Sequence, residues 1–177
     1  MPALSKLRLL PQPKSMRPAS GVYNLPKGDA YAHELELGVT PDRDHTLPPQ
    51  GYRLTITPDD IHLQAADAAG EFYGRMTLRQ IERVCGEGIP CGVIEDAPGL
   101  TVRGVMLDIS RDKVPTMHTL FMLVDMLAEW KINHLQLYME HTFAYSGHRE
   151  VWQAADPMTP EQVRALDAYC RERFIEL

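Results

Sequence analysis

The sequence predicts an α/β fold, in which an N-terminal α+β domain is followed by a strand–helix–strand unit. From Val102 to Glu140 the chain reads as an apolar run, a polar break, an amphipathic helix and a second apolar run. That succession is typical of a βαβ unit, whose two strands are parallel and joined by a right-handed crossover. Upstream, alternating segments and one amphipathic helix indicate an antiparallel sheet that carries a helix.

The strands of the N-terminal domain are predicted from apolar alternation. Residues 4–10 and 33–39 are predicted as short strands, and the second places Leu35, Leu37 and Val39 on one face. Residues 52–57 and 61–65 alternate more clearly on either side of a Pro-Asp-Asp turn. This pattern predicts an antiparallel hairpin.

One helix and one further strand complete the predicted domain. Asp67 is placed to cap a helix that runs to about Val84, with its inner face repeating at helical spacing. Residues 86–101 are rich in glycine and proline, and a short strand is predicted within them at Cys91–Ile94. We place the domain boundary at about residue 98.

The helix of the βαβ unit is predicted from Thr116 to Trp130, with flanking strands at residues 102–109 and 134–139. An apolar stripe at i, i+3, i+4 and i+7 supports this helix. The stripe consists of Leu120, Leu123, Val124 and Leu127.

A second helix and a third strand are predicted near the end of the chain. Thr159 and Gln162 fit a capping box, and Pro160 suits the first helical position between them. The strand is expected to begin near Phe174.

Composition argues against several classes of partner. The 177 residues carry a formal net charge of −6 without a basic cluster, which argues against a nucleic-acid surface. No apolar run approaches the roughly 20 residues that a membrane helix needs, and prolines and basic residues interrupt the N-terminus where a secretion signal would need an apolar core. Three cysteines without a CxxC pair indicate reduced thiols, so we expect a cytoplasmic protein.

Charged residues gather where the first strand of the βαβ unit should end, and two more follow the second strand. In parallel α/β folds the loops beyond the carboxyl ends of the strands build the site. Arg111, Glu140 and His141 are therefore expected to converge on one ligand. The alternative is that Asp108 and Arg111, three residues apart, pair with each other or cap the next helix.

These residues also resemble a known family. Residues 102–140 are similar to the start of the catalytic barrel of glycoside hydrolase family 20, the β-N-acetylhexosaminidases. The matching positions are Arg103, Gly104, Leu107, Asp108, Ser110, Arg111, Pro115, Asn133 and Leu135. Asp67–Ile81 resembles the helix of that family's N-terminal α/β domain, and Ile94–Gly104 resembles the usual connection. The resemblance implies an accessory domain at residues 1–98 and the first βα units of an incomplete TIM (β/α)₈ barrel at residues 99–177.

Family 20 implies a retaining hydrolase that removes terminal β-linked N-acetylhexosamine and uses the substrate's own 2-acetamido oxygen as nucleophile. A glutamic acid protonates the leaving group and an aspartate orients the acetamide, and this pair follows the fourth barrel strand. A whole barrel takes about 250 residues, so we expect a fragment, with the catalytic pair beyond Leu177 and no activity of its own. The match of Arg111 implies a sugar-binding arginine, whereas Arg103, at the start of its strand, implies a structural one.

The resemblance breaks down after the second strand. Typical members have Asp-Asp-Gln-Gly-Trp there, whereas this chain has Glu-His-Thr-Phe from Glu140 onward, which indicates a divergent member. The loop that follows carries Phe143, Tyr145 and Trp152, which either stack on sugar rings or cover the barrel mouth.

No cofactor or metal is expected. His141, His148, Glu140 and Glu150 are near one another in sequence but lack the tight spacing of a known metal site. The expected partner is a carbohydrate with a terminal N-acetylhexosamine. The alternative to the hydrolase is a non-catalytic carbohydrate-recognition or interaction module on the same scaffold.

Overall fold

The computed structural model describes residues 3–25, 40–86, 88–111 and 113–177. The chain forms two compact units, Met1–Gly99 and Leu100–Leu177. The strand predicted at residues 33–39 lies outside the described residues. No described helix combines the length and the apolar character that crossing a membrane requires.

The first unit is built on one five-stranded sheet. Its strands are β1 (Ser15–Asn24), β2 (Thr40–Arg43), β3 (Tyr52–Ile56), β4 (Ile61–Ala65) and β5 (Gly88–Asp96). They lie in the order β1-β5-β3-β4-β2, and the antiparallel pairing of β3 with β4 confirms the predicted hairpin. β2 runs parallel to β4, so the prediction of an antiparallel sheet is wrong at this edge and the sheet is mixed. Apolar alternation identifies the buried face of a strand, but it does not give the direction of the neighbouring strand.

The helix α1 (Ala68–Cys85) packs on this sheet and forms where capping and periodicity predict it. The Asp67 carboxylate accepts a 2.8 Å hydrogen bond from the Gly70 N–H, which satisfies one of the donors exposed at the start of a helix. The helix lies close to the sheet at Gly74, where a Cβ would stand 2.5 Å from Cδ1 of Leu63. The buried core of this unit includes Tyr52, Leu54, Leu63, Tyr73, Leu78, Ile81 and Ile94.

The N-terminal segment differs from its predicted form. Leu4–Lys6 is a single turn of 3-10 helix, so the strand predicted at residues 4–10 is wrong. Three leucines of this segment are nevertheless part of the core: Leu4, Leu7 and Leu9. The sequence did not predict β1, because most of its side chains are exposed and an edge strand of this kind shows no apolar alternation. The strand predicted at Cys91–Ile94 extends in both directions as β5.

The second unit contains the predicted βαβ arrangement. Its elements are β6 (Gly104–Asp108), α2 (Met117–Glu129), β7 (His134–Tyr138), α3 (Arg149–Trp152) and α4 (Pro160–Arg171). β6 and β7 are parallel, which confirms the predicted direction of these strands. A parallel bridge between His134 and Glu176 marks a third segment on β7, near the strand predicted from Phe174. The barrel itself stays a prediction.

Both larger helices of this unit begin at the predicted caps. The Thr116 hydroxyl accepts a 3.2 Å hydrogen bond from the Thr119 N–H at the start of α2. At α4, the side chains of Thr159 and Gln162 form the reciprocal capping box, and Pro160 is the first helical residue. The fully buried side chains of the unit include Ile109, Leu120, Val124, Leu135, Leu166 and Cys170.

Candidate active site

The carboxyl ends of β6 and β7 lie side by side, because the two strands are parallel and Asp108 stands opposite Tyr138 at their last positions. One further backbone bond follows, in which the Ile109 N–H donates to the Tyr138 carbonyl oxygen at 3.1 Å. The two loops that leave the strands carry Arg111 and Glu140. This is the edge at which the sequence predicts a site.

Arg111 is the centre of the charged group at this edge. Its Nη1 donates to Oδ2 of Asp108, and its Nη2 donates a 3.1 Å hydrogen bond to Oε1 of Glu140. The guanidinium carbon lies 5.2 Å from the centroid of the Tyr138 ring, within the range at which a ring face attracts a cation. Both alternatives from the sequence are therefore realised, since Arg111 pairs with Asp108 and also contacts Glu140 across the two strands.

Glu140 is held by both its side chain and its backbone. The Tyr138 hydroxyl donates a 2.8 Å hydrogen bond to Oε1 of Glu140, and Oγ of Ser110 accepts a 2.6 Å hydrogen bond from the Glu140 N–H. The Ser110 hydroxyl lies 3.4 Å both from the Tyr138 carbonyl oxygen and from Oγ1 of Thr142, which is buried. These hydroxyls tie the two loops together beneath the exposed charges.

Hydrogen bonding stabilises the charged forms of Asp108 and Arg111. The backbone N–H of Ser110, followed by the Arg111 side chain, lowers the pKa of Asp108 below its usual value. The hydrogen bond to Asp108 is also the main reason why the pKa of Arg111 is raised. Asp108 is therefore ionised near neutral pH, and a carboxyl group that holds its charge so readily is a poor general acid.

His141 and the aromatic loop contribute less to this edge. His141 is exposed and forms no hydrogen bond or ion pair within the described parts of the chain. The Phe143 and Tyr145 rings meet edge to face at 5.0 Å, while Nε1 of Trp152 donates to the Tyr145 carbonyl oxygen at 2.9 Å. In the ranges that the structure describes, no three His, Cys, Asp or Glu side chains are grouped closely enough to hold a metal ion.

Arg103 lies at the opposite end of β6, and its side chain donates hydrogen bonds to backbone carbonyl oxygens. Its Nε donates to the carbonyl oxygen of Lys131 and its Nη1 to that of Leu100, both at 2.7 Å. Its own N–H donates a 2.7 Å hydrogen bond to Oδ1 of Asn133. These contacts agree with the structural role that the resemblance implies for this arginine.

From the sequence, no contact was assigned to Tyr138, Ser110 or Thr142, although Ser110 is among the positions that resemble the family. Tyr138 fits the apolar pattern of its strand, and serine and threonine are common in any loop. One signal was available for Tyr138, because the last residue of a parallel strand lies next to the loops that form a site. The contacts of the two hydroxyl residues depend on loop conformation, which their sequence does not specify.

Known proteins support a single family. Residues 23–97 match the family model of glycosyl hydrolase family 20, domain 2. A β-hexosaminidase of Akkermansia muciniphila is 44% identical over 153 residues, which cover 75% of this chain and 31% of that protein. A β-N-acetylhexosaminidase of Cellulomonas fimi is 29% identical over 119 residues, which cover 66% of this chain and 22% of that protein.

Solved structures agree with the sequence relatives. A crystal structure of a β-N-acetylhexosaminidase superimposes with a TM-score of 0.79 at 29% identity, over 94% of this chain and 38% of the other. A glycoside hydrolase family 20 β-N-acetylglucosaminidase gives a TM-score of 0.76 at 27% identity, over 98% of this chain and 40% of the other. This chain thus spans less than half the length of each of these relatives. The sequence match, the shared fold and the domain model agree, and the chain belongs to glycoside hydrolase family 20.

Proposed function

We propose that this chain is the N-terminal portion of a glycoside hydrolase that removes terminal β-linked N-acetylhexosamine by a retaining, substrate-assisted mechanism. The observation that carries the proposal is the contact between Arg111 and Glu140 at the carboxyl ends of two parallel strands. The names of the relatives, including the one that is 44% identical, support the substrate class. In this proposal Arg111 and Glu140, with the neighbouring His141, bind the terminal sugar.

The pair offers both kinds of hydrogen-bonding group that a sugar hydroxyl requires. Asp108 and Glu140 each accept from one of the five N–H groups of Arg111. Glu140 accepts its side-chain hydrogen bonds through Oε1, and no described group donates to Oε2. Since a hydroxyl both donates and accepts, neighbouring hydroxyls of one sugar ring can accept from Arg111 and donate to Glu140.

Bond cleavage is assigned to residues outside this chain. In the substrate-assisted mechanism the 2-acetamido oxygen attacks the anomeric carbon while a carboxylic acid protonates the leaving group. Asp108 is unsuited to that acid role, because its pKa is lowered rather than raised. We therefore propose that β6 and β7 are the first strands of a (β/α)₈ barrel whose later strands supply the Asp-Glu pair.

A carbohydrate-recognition module without catalysis is the second candidate. The observation in its favour is that Arg111 is paired with two carboxyl groups of the described residues at this edge, Asp108 and Glu140. A site of this kind binds hydroxyls, and the lowered pKa of Asp108 makes this carboxyl group a poor proton donor. The two candidates share the sugar-binding edge and differ only in whether further residues complete a catalytic centre.

Two measurements on the purified chain test the proposal. Titration with N-acetylglucosamine, followed by nuclear magnetic resonance, should shift the side-chain signals of Arg111 and Glu140. Incubation with an aryl N-acetyl-β-glucosaminide should give no turnover. Turnover that survives controls for contaminating enzyme would contradict the assignment of the catalytic pair, and a titration without shifts at either residue would contradict the sugar-binding edge.

A further inference from the structure

Tyr138 contacts both members of the Arg111–Glu140 pair. We propose that Tyr138 is a positioning residue, which fixes the Glu140 carboxylate against the Arg111 guanidinium so that the two groups face a ligand as one rigid unit. This inference rests on the proposed function, and it identifies the residue on which the geometry of the sugar-binding pair depends. Tyr138 itself is not assigned a contact with the sugar.

The pair needs such support because both side chains are exposed. The Arg111 side chain is 65% exposed and the Glu140 side chain is 47% exposed. Exposed ion pairs are weak, because water competes for the charges and two long side chains lose conformational freedom when they pair. An isolated pair of this kind would sample many arrangements, and it would present no defined pattern of donors and acceptors.

The Tyr138 hydroxyl restricts the Glu140 side chain. Oε1 of Glu140 accepts hydrogen bonds from two directions, from Tyr138 at 2.8 Å and from Arg111 at 3.1 Å. Two donors on one oxygen restrict the orientation of the carboxylate, and therefore also that of Oε2. Ser110 holds the backbone of the same residue through the 2.6 Å bond from its N–H. Glu140 is therefore held at both ends.

The ring of Tyr138 acts on Arg111 at the same time. The guanidinium carbon lies 5.2 Å from the ring centroid, a favourable distance for a cation over an aromatic face. Tyr138 is the last residue of β7 and stands opposite Asp108, the other partner of Arg111. Its backbone is thus fixed by the sheet, and a site residue supported from a strand is held more accurately than one supported from a loop.

The first test uses the full chain without ligand and compares Tyr138→Phe with Tyr145→Phe. The two tyrosines are equally exposed, at 38%, and each variant loses one hydroxyl and keeps its ring. In Tyr138→Phe the Glu140 carboxyl carbon signal should shift, and hydrogen exchange at the Arg111 Nη2–H, which donates to Glu140, should become about threefold faster or more. Tyr145→Phe should leave both signals unchanged.

A second comparison shows whether Tyr138 acts through Glu140. In a Glu140→Ala background, Tyr138→Phe should cause no further change in exchange at Arg111, because the hydroxyl has lost its acceptor. Unchanged signals in Tyr138→Phe, or an equal effect in both backgrounds, would overturn the positioning role.

Binding of N-acetylglucosamine separates this inference from the proposed function. Tyr138→Phe should weaken binding by roughly threefold to tenfold, the effect of one lost hydrogen bond. If the unmodified chain bound no sugar while its Arg111 and Glu140 signals still responded to Tyr138→Phe, the proposed function would fail and the positioning role would stand. If sugar bound equally well to both chains, the positioning role would fail alone.

Discussion

Nε of Arg103 donates a 2.7 Å hydrogen bond to the carbonyl oxygen of Lys131, which joins the start of β6 to the turn after α2. Lys131 has a φ of 60°, in the left-handed region that non-glycine residues seldom adopt. The arginine also binds the Leu100 carbonyl oxygen. It therefore stabilises the turn at the amino end of the parallel strands, whereas Arg111 lies at their carboxyl end.

Replacement of Arg103 should therefore reduce stability. Arg103→Ala leaves the Lys131 carbonyl without this donor and should lower the free energy of unfolding by about 1–3 kcal/mol. The measurement is urea unfolding of the chain, with Arg164→Ala as control, because Arg164 is an exposed arginine of α4 paired only with Glu161 in the described chain. Equal stabilities of the two variants would contradict the structural role of Arg103.

Gly74 should tolerate no side chain, because the sheet lies against it. A Cβ there would stand 2.5 Å from Cδ1 of Leu63 and 3.2 Å from Cδ2 of Tyr52. Gly74→Ala should lower the free energy of unfolding of the first unit by about 1–3 kcal/mol through overpacking. Gly99→Ala is the matched control, since nothing lies within 4 Å of its added Cβ. A Gly74→Ala variant as stable as the control would show that the helix can move away from the sheet at little cost.

Tyr52 should make the first unit sensitive to alkaline pH. Its hydroxyl shares a 2.6 Å hydrogen bond with the Thr77 hydroxyl and donates to Oδ2 of Asp96 at 3.4 Å. Burial, followed by the nearby Asp96 charge, raises the pKa of Tyr52 well above its ordinary value of 10. The folded unit then keeps a proton that the unfolded chain releases. The stabilisation is complete below the ordinary tyrosine pKa and is lost as the pH rises above it.

Urea unfolding across the alkaline range measures this dependence. Tyr52→Phe removes the ionisable group, so the loss of stability with rising pH should become shallower than in the unmodified chain. The same slope in both chains would mean that other groups cause the alkaline unfolding.

Local signals were the most reliable guides to this fold. Asp67 and Thr116 sit beside the N–H groups that they cap, so a few residues of sequence contain the whole interaction. The parallel pairing of β6 with β7 was also predictable, because a helix between two strands requires a crossover. Neither the direction of β2 nor the existence of β1 could be predicted from the sequence. Both depend on which distant strand offers a free edge.

The candidate site was predictable only in part. Parallel strands bring their carboxyl ends together, which is why Arg111 and Glu140 were placed near each other from sequence. The hydroxyl bond from Tyr138 to Glu140 joins residues that are only two positions apart. Successive side chains of a strand point to opposite faces, but Glu140 lies beyond the end of the strand. Whether the Tyr138 hydroxyl reaches it depends on how the chain turns there, which the sequence pattern does not give.

Sugar binding by Arg111 is tested most directly by the affinity of the chain for N-acetylglucosamine in Arg111→Ala and Arg164→Ala. Both arginines are exposed and paired with a carboxylate three residues away, but only Arg111 also contacts a carboxylate on the neighbouring loop. Arg111→Ala should weaken binding by about tenfold or more, since it removes charge-assisted hydrogen bonds to the sugar. Arg164→Ala should bind as the unmodified chain does, and Arg111→Ala binding with that same affinity would contradict the account.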